Sequence, residues 1–133
     1  MQFSTRTTYG LRAMSRLAGN WNKGNLSLAK ISKDENISLA YLERIFSGLK
    51  KSGLVKAEIG SKGGYYLPAS PDNINIYDII KVLEGDIKLF HCLREDGGMS
   101  CKEGAGCGAV KALSKVQTAI YSTLKEMKLS DIK

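Results

Sequence analysis

Three cysteines in a glycine-rich stretch of the 133-residue chain could bind a metal. Cys92, Cys101 and Cys107 lie within 16 residues, with eight and then five residues between them. Thiolates bind soft or borderline metals, and a loop lets several sulfur atoms converge on one centre. Zinc sites usually contain CxxC pairs, which this sequence lacks, whereas wide spacing on a loop suits a larger cluster. The spacing therefore favours an iron–sulfur cluster.

A fourth ligand is needed if three cysteines hold the cluster. His91 is the only histidine and is one candidate, although the side chains of adjacent residues such as His91 and Cys92 usually diverge. Glu95, Asp96, Ser100, a residue of another subunit or a small-molecule thiol could also complete the set. A cluster with an incomplete set of protein ligands is chemically accessible, which is useful in a sensor.

The same cysteines allow a metal-free alternative, since exposed and reactive thiols can sense oxidants directly. An odd number of cysteines argues against a closed set of disulfides, and the cytoplasmic location that we expect keeps thiols reduced. The sequence has no apolar run near the ~18 residues that cross a bilayer and no signal peptide, so we expect neither membrane insertion nor secretion. A single histidine, no Ser–His–Asp set and no glycine-rich phosphate loop argue against an enzyme.

Periodic apolar residues predict helices over residues 4–20, 26–35, 39–52, 76–84 and 109–128. Ser38 is a predicted N-cap and Gly53 a predicted C-terminal stop, so a short helix, a tight break and a longer helix follow one another. Strand-like runs at 54–59 and 65–67 flank a glycine-rich turn and predict a β-hairpin. Residues 86–108 show no sustained period and predict a loop.

The apolar faces of two helices indicate which residues we expect to be buried. On the helix at 39–52 this face consists of Leu39, Leu42, Ile45, Phe46 and Leu49. On the last helix, spacings of three and four form a heptad-like seam of Val110, Leu113, Gln117, Ile120, Leu124 and Met127. The order of elements predicts a mainly α fold with a small β-hairpin wing, a winged helix–turn–helix followed by a long C-terminal helix.

A winged helix–turn–helix suits DNA binding, because a helix fits the major groove and its side chains reach base edges. The net charge of +7 also favours a polyanionic partner. Arg44 is the candidate for bidentate contact with guanine, and Lys62 at the wing tip for a phosphate or minor-groove contact. Tyr41, Lys50 and Lys51 suit backbone phosphates. The full set of candidate DNA-binding residues is Ser38, Ala40, Tyr41, Glu43, Arg44, Ser47, Lys50, Lys51, Ser61, Lys62 and Gly63.

Three stretches carry a family resemblance that covers essentially the whole chain: residues 37–46 (ISLAYLERIF), 51–55 (KSGLV) and 63–67 (GGYYL). With the cysteine loop, they make the sequence similar to the Rrf2 family of bacterial winged-helix regulators, which has IscR-like and NsrR-like branches. The resemblance implies a homodimer on a double-stranded DNA operator. It also implies an iron–sulfur cluster held by Cys92, Cys101 and Cys107, with 2Fe–2S favoured over 4Fe–4S. The helix from residue 109 onward is then the dimerisation helix, a role with which the heptad-like seam agrees.

The sequence departs from the family pattern at three positions. IscR-like regulators have a histidine three residues after the last cysteine, where this chain has Val110. NsrR-like regulators can use a carboxylate of the partner subunit near position 8, where this chain has Thr8. Neither of these fourth ligands therefore carries over. IscR-like wings carry an arginine where this chain has Ile59, so Lys62 is the expected basic contact.

The sequence thus predicts a cluster-controlled, sequence-specific transcriptional regulator, a repressor that senses redox state, nitric oxide or iron–sulfur status. We expect a winged helix–turn–helix DNA-binding domain at residues 1–85, a cysteine-bearing, cluster-binding loop at 86–108, and a dimerisation helix with its tail at 109–133. Two alternatives are a metal-free, thiol-sensing DNA-binding dimer and a protein-interaction module that regulates an enzyme.

Overall fold

The computed structural model describes residues 2–102 and 106–133. These residues form five α-helices and one hairpin, in the order α1 Thr5–Gly19, α2 Leu28–Glu35, α3 Leu39–Ser52, β1 Lys56–Glu58, β2 Gly64–Tyr66, α4 Ile76–Glu84 and α5 Gly108–Glu126. Short 3₁₀ turns lie at Pro71–Asn73 and Leu129–Ile132. This order confirms the predicted mainly α fold with a β-hairpin wing. In the part of the chain that the structure describes, no helix is long and apolar enough to span a membrane.

The tight break between α2 and α3 is set by local capping. Ser27 and Ser38 begin the two helices, and each hydroxyl accepts a hydrogen bond from the backbone N–H three residues on, at 3.1 and 3.3 Å. Asn36 ends α2 and Gly53 ends α3, both in the left-handed conformation, with φ of 54° and 85°. The predicted cap at Ser38 and stop at Gly53 are confirmed, and α3 takes the place of the recognition helix.

The main core lies between α1, α3 and α4. Met14 of α1, Phe46 of α3 and Ile79 of α4 are completely buried, and burial of such large apolar side chains is the main source of stability. The α1 and α4 helices approach closely at Gly10, where a Cβ would overlap the side chain of Leu83. Because α4 contacts both α1 and α3, it supports the recognition helix from behind.

The wing is attached to the segment that precedes α2. Its two strands pair antiparallel, with Glu58 opposite Gly64. The Leu26 N–H donates to the Tyr65 carbonyl oxygen at 2.9 Å, and the Tyr65 N–H donates to the Leu26 carbonyl oxygen at 2.8 Å. The prediction that a helix begins at residue 26 is therefore wrong, because Leu26 is extended and paired while α2 begins at Leu28.

The apolar seam of α5 packs against its own chain. Val110 is buried beside the cysteine segment, whereas Ile120, Leu124 and Met127 pack on the main core. The residues after α5 turn back along α4, where the Leu129 N–H donates to a carbonyl oxygen of the segment before α4 at 2.8 Å. The seam is thus partly covered by its own chain, with Leu113, Ile120 and Leu124 half-buried, and the role of α5 as the dimerisation helix stays a prediction.

Candidate functional site

One face of α3 carries the predicted DNA-contacting side chains. Those that are exposed are Ser38, Ala40, Glu43, Arg44, Ser47, Lys50 and Lys51. Tyr41 is half-buried, and its ring packs edge-on against that of Tyr9 with the centroids 5.7 Å apart. The opposite face of α3 is held in the core, so the exposed face is presented on a rigid helix. The forked guanidinium of Arg44 can match the two acceptors of guanine in the major groove.

Leu39 is exposed, with 42% of its surface accessible, so the prediction that it is buried with the rest of the apolar face of α3 is wrong. It is the first residue of α3 and stands at the end of the apolar stripe rather than in its middle. An aliphatic side chain in the first turn of a recognition helix can contact the methyl group of thymine. Sequence reasoning missed Leu39 as a candidate because the helical period assigns it to the same stripe as Leu42 and Phe46.

The turn of the wing exposes Ser61 and Lys62 to solvent. The Gly63 N–H donates to the Gly60 carbonyl oxygen at 3.0 Å. A Cβ on Gly63 would overlap the carbonyl oxygen of Glu58, so the closed turn requires a glycine at this position. Gly63, a predicted DNA contact, thus has a steric role in shaping the wing.

Asn25 holds both sides of the wing. Its side-chain Nδ2 donates to Glu58 Oε2 at 2.8 Å and to the Lys62 carbonyl oxygen at 3.1 Å. Together with the pairing of Leu26 and Tyr65, this clamp sets the direction of the wing relative to α2. The sequence around Asn25 indicates only a turn, and nothing in it shows which distant segment the amide binds.

The cysteine segment contains a single isolated β-bridge within the predicted loop. Leu93 pairs antiparallel with Met99. The Ser100 N–H donates to the Cys92 carbonyl oxygen at 3.0 Å, so Cys101 directly follows the residue that is bonded to Cys92. The predicted loop is confirmed for the described residues, because between α4 and α5 they form this bridge and turns but no α-helix and no strand of the sheet. Residues 103–105 of the predicted loop lie outside the described residues.

Cys92 and Cys107 share a second, smaller apolar cluster. Cys92, Leu93 and Val110 are its buried members, and the half-buried Cys107 packs against it. Cys107 is also the N-cap residue of α5, so its side chain lies at the N-terminal end of that helix. Val110 is therefore a packing residue of the cysteine segment. Two of the three sulfurs belong to one apolar environment.

Cys101 is exposed, and all three cysteines are free. Within residues 2–102 and 106–133, no three His, Cys, Asp or Glu side chains are grouped so as to hold a metal ion. His91 is exposed and lies beside the buried Cys92. The thiols of Cys92 and Cys107 and their apolar surroundings fit a thiolate-bound cluster. Cys101 would have to approach these two residues to serve as the third cysteine ligand.

Side-chain hydrogen bonds tie the cysteine segment to α4 and α5. Glu95 accepts from the hydroxyl of Tyr77 and from Lys81 Nζ, the latter at 2.9 Å. Gln117 Nε2 donates to the Arg94 carbonyl oxygen at 2.9 Å. The hydrogen bond from Tyr77, and next that from Lys81, hold the pKa of the Glu95 carboxyl below its usual value. Glu95 is therefore ionised at neutral pH and anchors the segment to α4.

The chain thus contains a capped helix–turn–helix, a clamped wing and a cysteine segment that precedes a long helix. The profile of a family described as "Rrf2: Iron-dependent Transcriptional regulator" matches residues 3–133. The chain belongs to the Rrf2 family.

Two Rrf2 relatives show how similar other members are. CymR of Bacillus subtilis is 43% identical over 96 residues, which cover 72% of this chain and 70% of CymR. IscR of Aliivibrio salmonicida is 31% identical over 132 residues, which cover 99% of this chain and 77% of IscR. The structure of the B. subtilis CymR, described as a global cysteine regulator, superposes with a TM-score of 0.84 and 34% identity, covering 98% of this chain and 95% of that one. This Rrf2 chain is therefore a transcriptional regulator and not an enzyme, as predicted.

Proposed function

We propose that this Rrf2 regulator is a homodimeric repressor that binds a double-stranded DNA operator under the control of an iron–sulfur cluster at Cys92, Cys101 and Cys107. The observation that carries the proposal is that Glu95 of the cysteine segment is hydrogen-bonded to α4, which packs on the recognition helix. A change at the cysteines can thereby reach the DNA-binding face through contiguous contacts. Because a bacterial transcriptional regulator works in the cytoplasm, the proposed location of this protein is the cytoplasm.

The proposed DNA-binding surface combines α3 and the wing. Arg44 reads a base, and the exposed Lys50, Lys51 and Lys62 contact phosphates on either side of it. Leu39 joins them as an apolar contact in the major groove. The remaining members of the surface are Ser38, Ala40, Tyr41, Glu43, Ser47, Ser61 and Gly63.

The proposed dimer interface is the outward face of α5. Because the monomer partly covers the predicted seam, we place the contact with a second copy on the adjacent stripe of the helix, on which Ala109, Ala112, Val116 and Ala119 are exposed. Their spacings of three and four are those of a coiled coil, and small residues let two helices approach closely. A dimer must present its two recognition helices about one DNA turn apart, ~34 Å.

Charge substitutions on the two faces of α5 test the interface. Val116, which is 43% exposed, is changed to glutamate, and the matched control changes the exposed Lys111 on another face to glutamate. Sedimentation should give a monomer for Val116→Glu and a dimer for the wild type and Lys111→Glu. A dimer in all three proteins would contradict the proposed interface.

The cysteine segment would hold the cluster through the thiolates of Cys92, Cys101 and Cys107. A bound cluster would supply a group that oxidants, nitric oxide and iron loss can alter, and 2Fe–2S is the proposed type. Val110 offers no donor atom, so the fourth ligand must come from elsewhere, and the exposed His91 beside Cys92 is the proposed protein donor. Glu95 and Gln117 would keep the segment fixed on α4 and α5.

Anaerobic purification with iron and sulfide analysis tests the cluster, and Mössbauer spectra distinguish 2Fe–2S from 4Fe–4S. Gel-shift titrations then compare the holo protein, the apo protein and the triple Cys→Ala variant on an operator selected from random DNA. Ser122→Ala is the control, because Ser122 is exposed on α5, is not a candidate ligand, and its replacement keeps all three thiols. We expect the cluster-free proteins to differ from the holo protein by about tenfold in operator affinity. Equal affinities for all of these proteins would refute the switch.

A metal-free thiol sensor is the second candidate. The likeness to CymR, described as a global cysteine regulator, favours it, and so does the exposure of Cys101. In that case the protein contains neither iron nor sulfide, and a mild oxidant changes its operator affinity. Cys101→Ser should abolish the response to the oxidant, whereas a persistent response would exclude Cys101 as the sensor. If selection retains no DNA at all, the regulator acts through a protein partner instead.

The division of the chain into residues 1–85, 86–108 and 109–133 stays a prediction. The C-terminal tail is hydrogen-bonded to residues 1–85 and stabilises them. The Ile76 N–H donates to the Met127 carbonyl oxygen at 2.9 Å, and the Leu129 N–H donates to the Ile74 carbonyl oxygen at 2.8 Å. We therefore expect a fragment of residues 1–85 to unfold at a lower urea concentration than the full chain.

A further inference from the structure

We propose that Ile59 is an apolar reader of the minor groove of the operator and makes the regulator favour A·T pairs beneath the wing. The inference rests on the proposed DNA binding and adds a specificity determinant to it. Ile59 directly follows β1 and is fully exposed, with a relative exposure of 104%. The other exposed large apolar side chains of the described residues reach at most 45%.

The wing holds Ile59 on a fixed support. Glu58, its neighbour, accepts a hydrogen bond from Asn25 at 2.8 Å, and Asn25 also binds the Lys62 carbonyl oxygen on the other side of the turn. A β-branched side chain has few rotamers, so little conformational entropy is lost when it is buried in a complex. The exposed methyl groups of Ile59 are therefore ready to bury apolar surface against a partner.

The charges around Ile59 indicate that this partner is DNA. Lys56 on β1 and Lys62 in the turn are exposed on the same hairpin, within a chain of net charge +7. Cations on a hairpin can bind phosphates at the edges of a groove while an apolar side chain lies against its floor. The neighbouring carboxylate, that of Glu58, accepts a hydrogen bond from the Asn25 side chain.

The chemistry of the groove floor explains a preference for A·T pairs. In the minor groove A·T and T·A present only the acceptors adenine N3 and thymine O2, whereas G·C adds the amino group on guanine C2. This amino group stands in the groove and would lose its water without gaining an acceptor from an isoleucine side chain. A·T-rich segments also have a narrow groove, which brings the sugar walls closer to the aliphatic side chain.

Inosine separates this readout from contacts in the major groove. An I·C pair keeps the major-groove edge of G·C but lacks the amino group in the minor groove. Operators selected by the wild-type protein are rebuilt with A·T, G·C or I·C at each flanking pair, and affinities are measured by fluorescence anisotropy. The wild-type protein should bind the A·T and I·C forms about tenfold more tightly than the G·C form at the pair beneath the wing.

Two variants locate the effect in Ile59. Ile59→Ala should bind the three forms within about twofold of one another, with an unchanged dependence on salt, because no charge is removed. Lys62→Ala should keep the preference for A·T and I·C while its salt slope falls by about one. Both residues are exposed, so we expect unchanged urea midpoints.

The outcomes distinguish this inference from the function on which it rests. An Ile59→Ala variant with the wild-type preference would overturn the reading by Ile59 while DNA binding stands. Equal discrimination against I·C and G·C would overturn it as well, because the readout would then lie in the major groove. A wild-type protein that binds no selected DNA would refute the proposed function itself.

Discussion

Gly64 is the point at which the wing touches the segment before α2, and we predict that Gly64→Ala loosens this contact. A Cβ at this position would lie 2.8 Å from the carbonyl carbon and oxygen of Leu26, and the backbone has a φ of +154°, which L side chains rarely adopt. Carbon atoms pack best at about 3.5–4.0 Å, so the strand must withdraw by roughly 0.7 Å or more. This movement strains the two hydrogen bonds between Leu26 and Tyr65, at 2.9 and 2.8 Å.

The expected cost follows from those contacts. Each backbone hydrogen bond contributes about 1 kcal/mol net, and the unusual φ costs about 1 kcal/mol or more once a side chain is present. The free energy of unfolding should therefore fall by about 2–3 kcal/mol in urea titrations. Hydrogen exchange at the Leu26 and Tyr65 amides should accelerate, because these groups lose their partners. Operator affinity should fall by about tenfold, since the wing contacts are no longer held in place.

Gly19→Ala is the matched control for this substitution. Gly19 is the last residue of α1, and a Cβ there would meet nothing within 4 Å. Alanine is the better helix former by about 1 kcal/mol, so this variant should be as stable as the wild type or slightly more stable. If Gly64→Ala matched Gly19→Ala in stability and in amide protection, the steric reasoning about the wing would be refuted.

Three further predictions concern the core, the recognition helix and an ion pair. Gly10→Ala should lower the free energy of unfolding by about 1–3 kcal/mol, because its Cβ overlaps Leu83 between α1 and α4, and Leu83→Ala in the same protein should relieve part of that cost in urea titrations. Arg44→Ala should weaken operator binding by about 1–3 kcal/mol and relax specificity at one base pair in a selection assay. Lys50→Ala should instead weaken binding to all sequences alike. The same loss of specificity from both variants would contradict the assignment of Arg44. A hydrogen bond from Arg16 lowers the pKa of Glu35 below its ordinary 4.5, so its stabilising effect is complete above that pH and is lost as the pH falls through the lowered value. Glu35→Gln should therefore cost about 1 kcal/mol at pH 7 and progressively less as the pH falls below 4.5 in urea titrations, and a cost that does not change with pH would exclude the ion pair.

Local features were enough to predict the helices and the order of the fold. Ser38 and Gly53 mark the ends of the recognition helix because a hydroxyl at the N-cap and a glycine at the C-terminus act on backbone groups only a few residues away. The outward face of α3, with Arg44 and Lys50, follows from the helical period for the same reason. The three cysteines were also evident as candidates, since their residue type and spacing need no tertiary information.

Contacts between distant segments could not be predicted in this way. Leu26 pairs with Tyr65 across almost forty positions, and the clamp by Asn25 depends on the same approach of two segments. The apolar seam of α5 gave no information about whether its own chain or a second copy would cover it, because a period identifies a face but not its partner. Local period and capping set the helices of this regulator, whereas backbone pairing and the choice of buried face depend on which distant parts of the chain meet when it folds.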